Sequence, residues 1–135
     1  LGSLLAVSHG RWARHRALGS KGKLLSLSVS TDEKNNATVV HVDGDLDVYT
    51  APRLKAALEE AVTEGGRLVL DLSGVQFIDS TALGVLAGAL QLSQSNDGDF
   101  QLVIGDPFLL KIFRITGFDG MFSIHPRLED ALSGD

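Results

Sequence analysis

The chain contains no cysteine, which excludes disulfide bonds, thiolate catalysis and cysteine-ligated metal sites. No apolar run approaches the roughly 18 to 20 residues that span a bilayer, so the expectation is a cytoplasmic protein without a membrane partner. There are four histidines, His9, His15, His41 and His125, and none forms a His-x-x-x-His or His-Glu pair with metal-ligand spacing. A Gly-x-Ser-x-Gly elbow, a Walker loop and a Gly-x-Gly-x-x-Gly loop are missing as well. Asn36-Ala37-Thr38 matches a glycosylation sequon, but nothing else in the sequence suggests secretion.

What is present is ordinary for one globular domain: 135 residues, 44% hydrophobic and 21% charged. The net charge of −5 hides an asymmetry. Residues 1–23 carry Arg11, Arg14, Arg16, Lys21 and Lys23 and no acid, leaving 7 basic against 17 acidic residues, net −10, in the remainder. An acidic body argues against a nucleic-acid backbone as partner and suits a partner with a basic face. Gly-Ser pairs interrupt residues 1–23, and their basic residues follow the apolar stretch, the reverse of a signal peptide. These residues read as a disordered extension or an expression remnant, with the domain running from 24 to 135. A basic arm built around Trp12 is the rival reading and rests on five scattered charges.

From Leu24 the patterning becomes regular. Leu25, Leu27 and Val29 alternate with serines, the period of a half-buried strand. A turn over Thr31 to Asn36 and a second strand, Val39 to Val42, complete a hairpin. Thr50 is placed to cap a helix with Leu54, Ala57, Leu58, Ala61 and Val62 on one face, ended by Gly65-Gly66. Leu68-Val69-Leu70 reads as a short buried strand. A helix from Ser80 to about Asn96 has no polar face in its first half, which predicts a buried helix. A strand over Phe100 to Ile104, a helix opened by Pro107 and stopped by Gly117, a strand over Met121 to Ile124 and a last short helix follow. The order ββαβαβαβα predicts an α/β fold with a mixed, mainly parallel sheet and helices packed on it.

The segment richest in chemistry runs from Asp71 to Leu86, read as a strand, a short loop and then Asp79-Ser80-Thr81 at a helix entrance. Spacing alone favours helix capping by one of these three residues. The alternative is a regulated hydroxyl. A phosphate on Ser80 would meet free backbone N–H groups and the positive end of the helix dipole, and would add about −1.5 to −2 charge. A Ser80–His–Asp triad is disfavoured, because His41 and His125 fall in or at the ends of strands and not in strand-to-helix loops.

Asp79-Ser-Thr-Ala-Leu-Gly-Val-Leu86 resembles the signature of bacterial anti-sigma factor antagonists, which have the STAS fold. Three further segments agree in order: Gly44-Asp-Leu-Asp-Val-Tyr-Thr-Ala-Pro52, Asp71-Leu-Ser-Gly-Val-Gln-Phe77 and Leu110-Lys-Ile-Phe-Arg-Ile-Thr-Gly117. The resemblance covers about Leu24 to Leu132 and is strongest to antagonists of high-GC Gram-positive bacteria. It implies partner switching in transcriptional and stress regulation. The unmodified protein binds an anti-sigma factor that is also a serine kinase, and so releases a sigma factor. Phosphorylation of the serine after the aspartate, Ser80 here with Thr81 as second choice, ends that binding, and a metal-dependent serine phosphatase restores it. ATP and metal belong to those enzymes, so this chain is expected to be no enzyme and to need no cofactor. The same matching assigns partner contact to Asp45, Asp47, Tyr49, Thr50, Asp79, Ser80, Thr81 and Ala82. Ala82 stands where the family often has Gly, a departure that bears on how closely a partner's backbone approaches.

Two other classes remain open on the sequence. A receiver-like or hydrolytic α/β enzyme would show turnover lost in Ser80→Ala, although a receiver would start strand–helix–strand with paired acids and not with a hairpin. A STAS module that senses a ligand or scaffolds a stress complex would bind a small molecule with no kinase present.

Overall fold

The computed structural model describes residues 27–133. The predicted extension, residues 1–23, lies outside these, as do residues 24–26 of the predicted first strand.

Strand β1 (Ser28–Lys34) pairs antiparallel with β2 (Ala37–Leu46). The turn between them is two residues, Asn35 and Asn36, both at positive φ (51° and 64°), the backbone of a tight hairpin that asparagine tolerates. The expected turn from Thr31 is therefore corrected: Thr31 to Lys34 pair with Val40 to Ala37. Their polarity is that of an edge strand open to water, not of a loop.

Helix α1 (Ala51–Ala61), β3 (Arg67–Ile78), α2 (Ser80–Ser95), β4 (Asp99–Val103), α3 (Pro107–Ile115), a 3₁₀ turn over Phe118–Gly120, β5 (Ser123–His125) and α4 (Leu128–Ser133) follow. The five strands lie in the order β1-β2-β3-β4-β5, parallel after the first pair. This is the predicted element order and the predicted mixed sheet. α3 starts on Asp106, whose side chain accepts from the Phe108 N–H, and stops before Gly117 at φ +79°.

The main core lies between one sheet face and helices α1 to α3. Val40, Val42, Leu68, Leu70 and Leu72 meet Leu54 and Leu58 of α1, Leu86 of α2 and Leu109 and Phe113 of α3. Each such fully buried side chain contributes about 1.5–3 kcal/mol. On the opposite face Ala131 of α4 closes a small cluster with Ala37, Val39, Val69 and Val103.

Two corrections matter for the site. β3 runs 12 residues, not three, and reaches Ile78 with no intervening loop. Its buried residues Leu72, Val75 and Ile78 are three apart, because the pairing with β2 shifts register at Asp43 and again at Gly44. Such bulges break the two-residue period by which strands are recognised. Gly44 sits at φ +128°, and a Cβ on Gly74 would come within 2.9 Å of Asp43 Cγ, so both positions need glycine. The second correction concerns α2, which buries Ala82, Leu83, Leu86, Ala89 and Ser93 on one side only. Gly84, Gly88 and Leu92 are exposed on the other. Each glycine costs this helix about 1 kcal/mol relative to alanine.

Candidate functional site

The carboxyl ends of parallel strands β2 and β3 bring two helix entrances side by side. Asp45 pairs with Phe77 and Leu46 with Ile78, and the Asp79 N–H donates to the Leu46 carbonyl at 3.0 Å. The Asp45-to-Thr50 segment and the Asp79-Ser80-Thr81 segment thus form one surface at the end of the sheet, where open α/β folds commonly place their sites.

At the α2 entrance Asp79 is the N-cap. Its carboxylate accepts from the Ala82 N–H at 3.0 Å, and its carbonyl accepts from the Leu83 N–H. Ser80, the first helical residue, is exposed. Among the described residues its hydroxyl has no hydrogen-bond partner, and the N–H groups of a first turn have none within the helix. Capping is thus done by Asp79 alone, and Ser80 is left free. Thr81 is exposed as well.

At the α1 entrance the hydroxyl is spent. Thr50 is 3% exposed; its Oγ1 donates to the Asp45 carbonyl and accepts from the Asp47 N–H, both at 2.9 Å. It holds the cap position with no side-chain bond to the helix, so the expected hydroxyl cap is corrected: the hydroxyl closes the preceding loop. The Asp47 carboxylate accepts from the Tyr49 and Thr50 N–H groups at 2.9 and 3.0 Å. Asp45 is exposed, and Tyr49, 74% exposed, projects outward.

Of the eight residues assigned to partner contact, six reach this surface in whole or part: Asp45, Asp47, Tyr49, Asp79, Ser80 and Thr81. Thr50 and Ala82 do not. Ala82 is 0% exposed and packs in the main core. Its methyl group points inward, so the departure from glycine does not reach a docking partner. Exposed Val48 and Phe77 belong to the same surface. The sequence pattern marks neither: Gln76 and Phe77 are both exposed between buried Val75 and Ile78, so no strand alternation singles Phe77 out.

Among the described residues no other chemistry gathers here. His41 bonds Asp71 (Nδ1–Oδ2 2.9 Å) and His125 bonds Gln101, with no link from either to Ser80. Burial pushes the Asp71 carboxyl up, but the hydrogen bonds from His41 and Ser73 outweigh it and hold the group below the ordinary carboxylate range. No cluster of metal ligands occurs among the described residues, and no helix there is long and apolar enough to cross a membrane.

The STAS domain model matches residues 28–131. The chain is 33% identical over 113 residues to the anti-sigma-B factor antagonist of Listeria monocytogenes, covering 82% of this chain and 98% of that one. To the Bacillus subtilis anti-sigma-B factor antagonist it is 30% identical over 105 residues, 78% of this chain and 96% of that one. This chain belongs to the STAS anti-sigma factor antagonist family. The STAS fold is borne out in three dimensions by an anti-sigma factor antagonist from Mycobacterium paratuberculosis, with a TM-score of 0.72 and 32% identity over 79% of this chain and 92% of that one. Such even identities to Listeria, Bacillus and Mycobacterium proteins do not single out the high-GC type.

Proposed function

We propose that this STAS protein is an anti-sigma factor antagonist switched by phosphorylation of Ser80. Unmodified, it binds an anti-sigma factor serine kinase and so frees a sigma factor; the kinase phosphorylates Ser80 and releases it, and a metal-dependent serine phosphatase resets it. The protein acts as a binding partner and a substrate, not as an enzyme. The observation that carries the reading is the exposed, unbonded Ser80 hydroxyl beside an aspartate that already caps the helix. The fold makes no use of that hydroxyl, so it is free for modification.

The same geometry supports a switch that leaves the fold intact. A phosphate at the first residue of α2 faces unpaired N–H groups and the positive end of the helix dipole. It adds about −1.5 to −2 charge and considerable bulk to a surface that already carries Asp45, Asp47 and Asp79, so a partner shaped to the hydroxyl loses its fit.

The test is intact-mass spectrometry after incubation with anti-sigma factor kinases and Mg-ATP, with site mapping. One phosphate on Ser80, absent from Ser80→Ala, is expected; phosphate on Thr81 moves the site. In binding measurements Ser80→Ala keeps affinity for the kinase and Ser80→Glu loses it, and equal affinities would sink the switch.

A further inference from the structure

The outward side of α2 is apolar yet uncovered. Half-buried Val85 and exposed Leu92 of α2 line a groove of about 420 Å³ between the two helices, floored by the core side chains Leu58 of α1 and Ala89 of α2. Gly84 and Gly88 form part of its α2 wall, and Thr81 stands at one end. A Cβ on either glycine would meet nothing within 4 Å. Neither has a backbone conformation that requires glycine. The packing of this fold therefore gives no reason for two glycines that weaken the helix. A close approach from outside does give one, since a bare helix backbone admits a neighbour nearer than a methyl group would.

Resting on the partner-switching reading above, we propose that this groove continues the same partner surface and seats an apolar side chain of the anti-sigma factor that reads Ser80. Continuity supports the assignment: Thr81 follows Ser80 and also lines the groove. Gly88 lies eight residues beyond Ser80, about 12 Å along the helix. A specific interface buries about 800 Å² per partner, a patch roughly 30 Å across, so a partner seated on Ser80 extends over the groove. A small-molecule occupant fits less well, because the polar lining residues Lys55, Glu59 and Thr81 are all exposed and none is buried to fix a ligand. A second copy would bring together two strongly acidic bodies.

The experiment compares wild type, the double variant Gly84→Ala/Gly88→Ala, Leu92→Gln and Ser80→Glu, by thermal melting and by calorimetric titration with purified anti-sigma factor kinases. The double variant is expected to melt higher, from its better helix propensity, and yet to bind at least tenfold more weakly. Leu92→Gln, a groove residue 36% exposed, weakens binding at least tenfold while lowering the melting temperature by only a few degrees, and it decides the matter should the double variant fold poorly. Unchanged affinity in both groove variants overturns the inference, and it leaves the Ser80 reading standing if Ser80→Glu still loses affinity. Wild type that binds none of the kinases overturns both. A wild-type dimer dispersed by the groove variants would assign the groove to a second copy and overturn it too.

Discussion

α1 and α2 begin almost alike, with an aspartate shortly followed by a hydroxyl, and the two hydroxyls end in opposite situations. At α1 the Thr50 hydroxyl is buried and holds both Asp45 and Asp47. At α2 the aspartate alone caps the helix, and the exposed Ser80 hydroxyl has no partner among the described residues. Side-chain chemistry does not separate them. What does is whether the loop before the helix folds back far enough to claim the hydroxyl. β2 ends in a loop that does; β3 runs straight to Ile78 and turns directly into its helix, leaving no backbone for Ser80 to tie.

The comparison breaks first at Thr50. Thr50→Val leaves the Asp45 carbonyl and the Asp47 N–H without their buried partner, an expected loss of about 1–3 kcal/mol in urea unfolding. A loss no larger than that of Ser80→Ala, about 0.5 kcal/mol or less for an exposed residue, would mean the two entrances do not differ as described. Asp79→Ala should fall between them, at about 1 kcal/mol for the lost cap. The smallest effect concerns Asp71, a carboxylate whose hydrogen bonds are structural like those of Asp47 but lie away from the entrances. Its folded pKa is depressed, so its contribution is fully present above the ordinary aspartate value of 3.8 and is lost as pH falls through the lower folded value. Urea midpoints between pH 2 and 5 should drop less steeply in Asp71→Asn than in wild type, and parallel curves would remove the carboxylate from the acid limb.

Element order and the position of Ser80 were legible because they rest on local signals: apolar periodicity, Pro107, Gly117 and an Asp-Ser at a helix start. β3 is longer than its apolar pattern indicates, for a physical reason. Its last two-thirds bulges against β2, and burial every third residue no longer looks like a strand. The open side of α2 escaped as well, because hydrophobicity reports what a face is suited to meet and not whether the same chain supplies the cover. Thr50 and Ala82 matched the family pattern by position, but only three-dimensional placement shows that both face inward.

The sequential strand order has a consequence for how the chain comes into being. Because each strand after the hairpin joins the edge left by the one before, the sheet can grow in the direction of synthesis, every new unit docking on a surface already formed. At each stage one raw edge is exposed to other nascent chains, and the next unit buries it. Growth ends with β5, whose three residues offer too short a ladder to recruit another strand, while the opposite edge, β1, finishes in Asp32-Glu33-Lys34, charges that discourage pairing with a stranger.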